Sequence, residues 1–234
     1  VLEPARQPEA APAENAAAAP NRPASRVARW AECVALFVVA PTLLAVFMRP
    51  GLVFPAIWTL GLLCLIVLVF DPTFARAQLW NARGAAGGLR VVLARFAVCA
   101  PLLTALLWLI EPDRLLDLPR RNATLWAVVM VGYPVLSVYA QEVAFRAYFF
   151  HRYEPMFARR GALVAASAAA FGYAHVIMHN WWAVGFSAVG GVFFGMTYAR
   201  SRSLLASCIE HALYGCFLFT IGWGWYFYGG SVAR

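Results

Sequence analysis

Apolar residues fall in long blocks along this chain, at roughly 31–48, 52–70, 90–110, 124–150, 162–178, 181–199 and 203–221. Each block approaches the ~20 residues with which an α-helix crosses the hydrocarbon of a bilayer. The pattern predicts an all-α, polytopic transmembrane helix bundle of about seven spans, six or eight being the nearest other counts. Breaks are marked at Arg49-Pro50-Gly51, from Asp71-Pro72 through Gly88, from Glu111-Pro112-Asp113 through Asn122, and at Arg159-Arg160-Gly161. Residues 1–28 are rich in Ala and Pro with almost no large apolar side chain, so they are expected to be a disordered tail ahead of a transmembrane domain at 29–234. The first apolar run begins only around Ala31 and has the length of a span, unlike a cleavable signal.

Composition agrees with that pattern. Of 234 residues, 62% are hydrophobic and 13% charged, against about 45–50% and about 25% in soluble domains. A soluble globule would have to expose large apolar patches. The net charge of +8 comes from 19 arginines and no lysine. They form no polybasic strip with interleaved aromatics, so no nucleic-acid partner is expected. Placing the N-terminus inside puts twelve arginines, from Arg6 to Arg202, in cytoplasmic segments, against Arg49, Arg114, Arg120, Arg121 and Arg234 outside. The aromatic residues Trp223, Trp225, Tyr226, Phe227 and Tyr228, with Asn180-Trp181-Trp182, are then expected at the outer interface. The five cysteines sit in or beside apolar runs without a CxxC pair and read as buried free thiols. Ser187, Gly191, Gly195 and Ala199 form a small-residue stripe on the sixth span, expected to pack within the bundle.

Ionisable groups deep in a span are costly and therefore point to function. The fourth span carries Gln141-Glu142-Val143-Ala144-Phe145-Arg146, the fifth Phe171 and His175 with His179 one turn on, and the seventh Glu210-His211. Glu142 and Arg146, four apart on one helix face, can pair. An ion pair alone is as well read as a device fixing helix register. Two histidines and a carboxylate on three helices favour a polar cavity. The 156–161 loop brings Glu142 and His175 to similar depth, whereas His211 is offset by roughly 9 Å at 1.5 Å per residue, a mismatch that tilt or a helix break must absorb. Carboxylate, imidazole and water suffice for hydrolysis. The same groups suit a divalent metal, held by Glu142, His175 and His211 or by His175, His179 and His211, and direct carboxylate chemistry is preferred over it.

At these residues the sequence resembles the CPBP family of intramembrane proteases, named for CAAX proteases and bacteriocin-processing enzymes. The family's motifs, Glu-Glu-x-x-x-Arg, Phe-x-x-x-His and His-x-x-x-Asn/Asp, appear in order as Gln141-Glu142-x-x-x-Arg146, Phe171-x-x-x-His175 and His211-x-x-x-Gly215. The likeness covers about 120–220. It implies an intramembrane endopeptidase of glutamic type, without a resident cofactor, acting on a membrane-associated protein or peptide from within the lipid bilayer. The expected location is a bacterial cytoplasmic membrane, as a multi-pass protein.

Two positions depart from the pattern. Gln141 stands where the resemblance places the water-activating Glu, and a neutral amide cannot take a proton from water at neutral pH. Either Glu142 assumes that task, with Arg146 tuning its charge and His175 and His211 orienting water, or the chain is a catalytically silent binding or scaffold protein of the same fold. Gly215 offers no side-chain donor beside the oxyanion, so Gln141, Tyr214, Asn180 or a backbone amide is expected to serve. A small transporter or proton relay also fits intramembrane Glu and His, but no internal repeat favours it.

Overall fold

A computed structural model of the chain describes residues 25–47 and 51–228. The expected tail lies outside the described residues as far as position 24, as do Arg49, Pro50 and Arg234. Among the described residues there is no strand, and seven helices are long and apolar enough to cross a membrane: α1 Arg26–Phe47, α2 Val53–Phe70, α3 Ala82–Ile110, α4 Ala123–Met156, α5 Arg160–Met178, α6 Trp181–Ser201 and α7 Leu204–Ile221. This is the predicted all-α polytopic bundle. The first helix starts inside the segment expected as tail, where Ser25 accepts a hydrogen bond from the Ala28 amide and caps it.

The larger boundary difference is at α3, which begins at Ala82 and runs through the glycine-rich stretch expected to be a break. Asn81 caps it, its side chain accepting from the Gly84 amide at 3.0 Å. A Cβ at Gly84 would lie 2.5 Å from the Ser201 carbonyl oxygen, so glycine there lets α3 meet the end of α6. Asn122, Asn180 and Ser203 cap α4, α6 and α7 in the same way.

The central element is α4. Every residue from Ala140 to Phe150 is buried, so this part of the helix is enclosed, whereas its first half exposes Val128, Val131 and Val135. It is not uniform: π-helical turns occupy Pro134–Val138 and Val143–Tyr148. Proline lacks an amide hydrogen and cannot complete the regular ladder, and single π turns are frequent at functional sites. The small-residue stripe of α6 is buried and faces α5 within the bundle: a Cβ on Gly191 would come within 2.9 Å of the Ala168 Cα, and one on Gly172 within 2.7 Å of the Ala188 Cβ. All five cysteines are free thiols. The aromatic cluster after α7 divides, because Trp223 is fully buried and donates to the Leu103 carbonyl at 2.9 Å, while Trp181 and Trp225 are exposed. Trp223 therefore serves the core, contrary to its expected interfacial place.

At the other end of α2, Asp71 accepts from the Thr73 hydroxyl at 2.6 Å and the Thr73 amide at 2.8 Å, and lies 2.9 Å from His151 Nε2. These bonds, the Thr73 hydroxyl first, hold its carboxyl well below the usual carboxylate range. A depressed folded value stabilises the fold above the unfolded value of about 4 and is lost as pH falls through the folded one. The stability difference between wild type and Asp71→Asn, read by thermal melting in detergent, should be full at neutral pH and vanish on strong acidification. A difference that grows on acidification would contradict this.

Candidate active site

Successive residues of an α-helix project about 100° apart, so Gln141 and Glu142 on α4 meet different surroundings. Gln141 lines a cavity of about 580 Å³ and donates from Nε2 to the Ser137 hydroxyl at 2.7 Å. Glu142 points into the bundle, has no exposed surface and does not line that cavity. Its Oε1 is 2.9 Å from His211 Nδ1, and its Oε2 accepts from the Ser207 hydroxyl and lies 3.4 Å from Arg146 Nε. A carboxylate so enclosed needs partners on both oxygens, because desolvation of an unpaired charge is prohibitive.

Arg146 is equally buried. Its Nη1 donates to the Ser167 hydroxyl at 3.1 Å and the Phe145 carbonyl at 3.2 Å, and its guanidinium lies 4.8 Å from the Phe171 ring centroid. Cation and ring attract through the ring quadrupole. Ser207, His211 and Gly215 recur every four residues on one face of α7, and that face supplies the far side of the cluster. The His211 ring stacks on Phe194 at 4.6 Å, and its Nε2 is 3.0 Å from the Tyr133 hydroxyl.

His175 lies elsewhere. The α-helical part of α5 ends at Ala174 and tightens to a 3-10 turn from His175. There His175 Nδ1 bonds the Phe171 carbonyl at 2.8 Å, and the imidazole lines the cavity beside Gln141. A carbonyl only accepts, so Nδ1 carries the proton and Nε2 keeps its lone pair. The carboxylate is thus joined to His211, the histidine expected to be offset in depth, while His175 faces the cavity.

The cavity is walled by apolar side chains of α1, α2 and α4, among them Leu44, Ile57, Leu60 and Val128. Its lining also includes Asp117 and Arg121, which pair with each other. Two expected oxyanion donors are not at the cavity. The Asn180 amide oxygen accepts from the Ala183 amide, and its Nδ2 donates to the Met178 and Tyr226 carbonyls. Tyr214 packs edge-on against Phe96, 5.3 Å between centroids. His179 is exposed, in the left-handed region at φ 54°. Among the described residues no three of the His, Cys, Asp and Glu side chains converge as a metal-binding group.

Two members of the cluster and one neighbouring ion pair leave little trace in the sequence. Tyr133 is an aromatic residue beside a proline, Ser207 had only its spacing of four from His211, and Arg95 inside α3 pairs with buried Glu210 at 3.3 Å. A lone arginine within an apolar span was the available signal for the last.

Residues 122–217 match the family described as Type II CAAX prenyl endopeptidase Rce1-like. The match runs from the start of α4 into α7 and covers all three motifs, in agreement with the resemblance read from them. It supports a peptidase scaffold within a multi-pass membrane protein. No curated protein and no solved structure matches the chain.

Proposed function

We propose that this chain hydrolyses peptide bonds of a membrane-associated protein or peptide in the cavity between α1, α2, α4 and α5, with Glu142 as the carboxylate that drives the reaction through His211. The observation that carries this reading is the 2.9 Å contact of Glu142 Oε1 with His211 Nδ1, immediately behind a cavity lined by Gln141 and His175. An ionised carboxylate only accepts, so His211 holds its proton on Nδ1 and presents Nε2 as a base, and Glu142 stabilises the imidazolium formed when that base takes a proton. A water in the cavity can donate to His175 Nε2 and keep an oxygen lone pair for the scissile carbonyl carbon. Gln141 spends one N–H on Ser137 and has a second for the developing oxyanion. The apolar walls suit a substrate that arrives from the lipid.

One observation favours a second reading, a substrate-binding protein without turnover: position 141, the cavity-facing member of the motif, is an amide. The two separate in a cleavage assay of the purified protein in micelles on a pool of membrane-anchored peptides, comparing wild type with Glu142→Gln, His175→Ala and His211→Ala, with and without chelator. We expect cleavage by wild type, a loss of about 100-fold or more in each variant, and no effect of chelator. Cleavage indifferent to all three changes would overturn the site, binding without cleavage would favour the second reading, and loss on chelation would favour metal.

A further inference from the structure

We propose that the Tyr133 hydroxyl is the catalytic group that carries the water proton from the cavity to His211, in the room left by the absent side chain of Gly215. The inference rests on the peptidase reading and deepens it. Glu142 and His211 do not line the cavity, and Glu142 has no exposed surface. Water in the cavity therefore has no direct path to the carboxylate. Tyr133 both lines the cavity and places its hydroxyl 3.0 Å from His211 Nε2. With Nδ1–H given to Glu142, Nε2 accepts, so the phenol donates its single proton to His211 and leaves its oxygen lone pairs for a water O–H on the cavity side.

Gly215 makes this arrangement available. A Cβ at that position would lie within 2.5 Å of both Cζ and the hydroxyl oxygen of Tyr133. Any side chain there displaces the phenol from His211. Phe219, one turn after Gly215 on α7, packs edge-on against the ring at 5.3 Å, and Tyr133 directly precedes the π turn that begins at Pro134.

The step balances. As the water oxygen bonds to the carbonyl carbon, one water O–H breaks and its proton passes to the Tyr133 oxygen. The phenol proton moves in concert to His211 Nε2, and the carbonyl π electrons settle on oxygen. On collapse of the tetrahedral adduct the C–N bond breaks, and the amine nitrogen recovers a proton along the same path. His211 and Tyr133 return to their starting state with one water consumed.

Tyr133→Phe removes only the hydroxyl and keeps the ring that packs on Phe219. We expect kcat to fall about 100-fold or more, with KM within roughly twofold because ground-state binding is untouched, and a midpoint of unfolding in an SDS titration lowered only slightly, by the loss of one neutral hydrogen bond. Gly215→Ala should lower kcat in the wild-type background and add little in the Tyr133→Phe background, because both changes break one path. Wild-type cleavage with kcat retained in Tyr133→Phe overturns the relay and leaves the peptidase reading standing. Additive losses from the two substitutions also overturn it. If wild type cleaves none of the membrane-anchored peptides, the peptidase reading fails and the relay with it.

Discussion

Arg146→Met should destabilise the protein by about 3–5 kcal/mol, the range for removing one partner of a buried ion pair. Methionine fills much of the arginine stem's volume, so packing alone is not the cause. Glu142 would keep Ser207 and His211 but lose its cation at a site with no exposed surface for either side chain. The substitution also vacates the contacts of Nη1 with Ser167 and the Phe145 carbonyl, and the guanidinium's place over Phe171. These groups tie α4 to α5, so loss of the cation loosens the wall that carries His175. Neutralising both members, Glu142→Gln with Arg146→Met, should recover most of the stability because no buried charge is left unpaired. An SDS titration of the purified protein, followed by helix content, measures both effects. Arg146→Met within 1 kcal/mol of wild type would show that the pair does not hold α4 in place.

The seven spans were legible because a membrane requires each crossing segment to be long, apolar and helical, leaving few alternatives for such runs. Their ends were less so. Glycines 84, 87 and 88 weaken a helix by propensity, yet α3 includes them, since Asn81 caps its first turn and Gly84 is needed for contact with α6. The charged members of the cluster were legible for the same reason as the spans, a Glu, an Arg and a His being costly in lipid. Their pairing was not. Depth counted along straight, regular helices offsets His211 from Glu142, but α4 contains two π turns and α5 tightens at His175. Such local changes of rise and phase leave no hydropathy signal. Nor does a neutral side chain: Tyr133 resembles any aromatic residue within a span, and in the sequence the glycine four residues after His211 reads only as a missing donor.

Gln141→Glu should lower activity, by about 100-fold or more if the Gln141 amide serves the oxyanion, the cost of removing one such donor. Gln141 lines the cavity, whereas Glu142 does not. A glutamate at 141 has no N–H for the oxyanion and would require the Ser137 hydroxyl to reverse its bond. It also adds negative charge where the tetrahedral intermediate develops its own. Gln141→Ala separates these effects, since it removes the donor without adding charge, and it should retain more activity than Gln141→Glu. Gln141→Ala should unfold at the wild-type SDS midpoint within about 1 kcal/mol, because Gln141 makes one neutral side-chain bond, whereas Gln141→Glu should unfold earlier, since its carboxylate would be buried without a cation. A rise in kcat for Gln141→Glu would reverse the assignment: the base would belong at 141, Glu142 would be only the counterion of Arg146, and the path through His211 and Tyr133 would carry no proton.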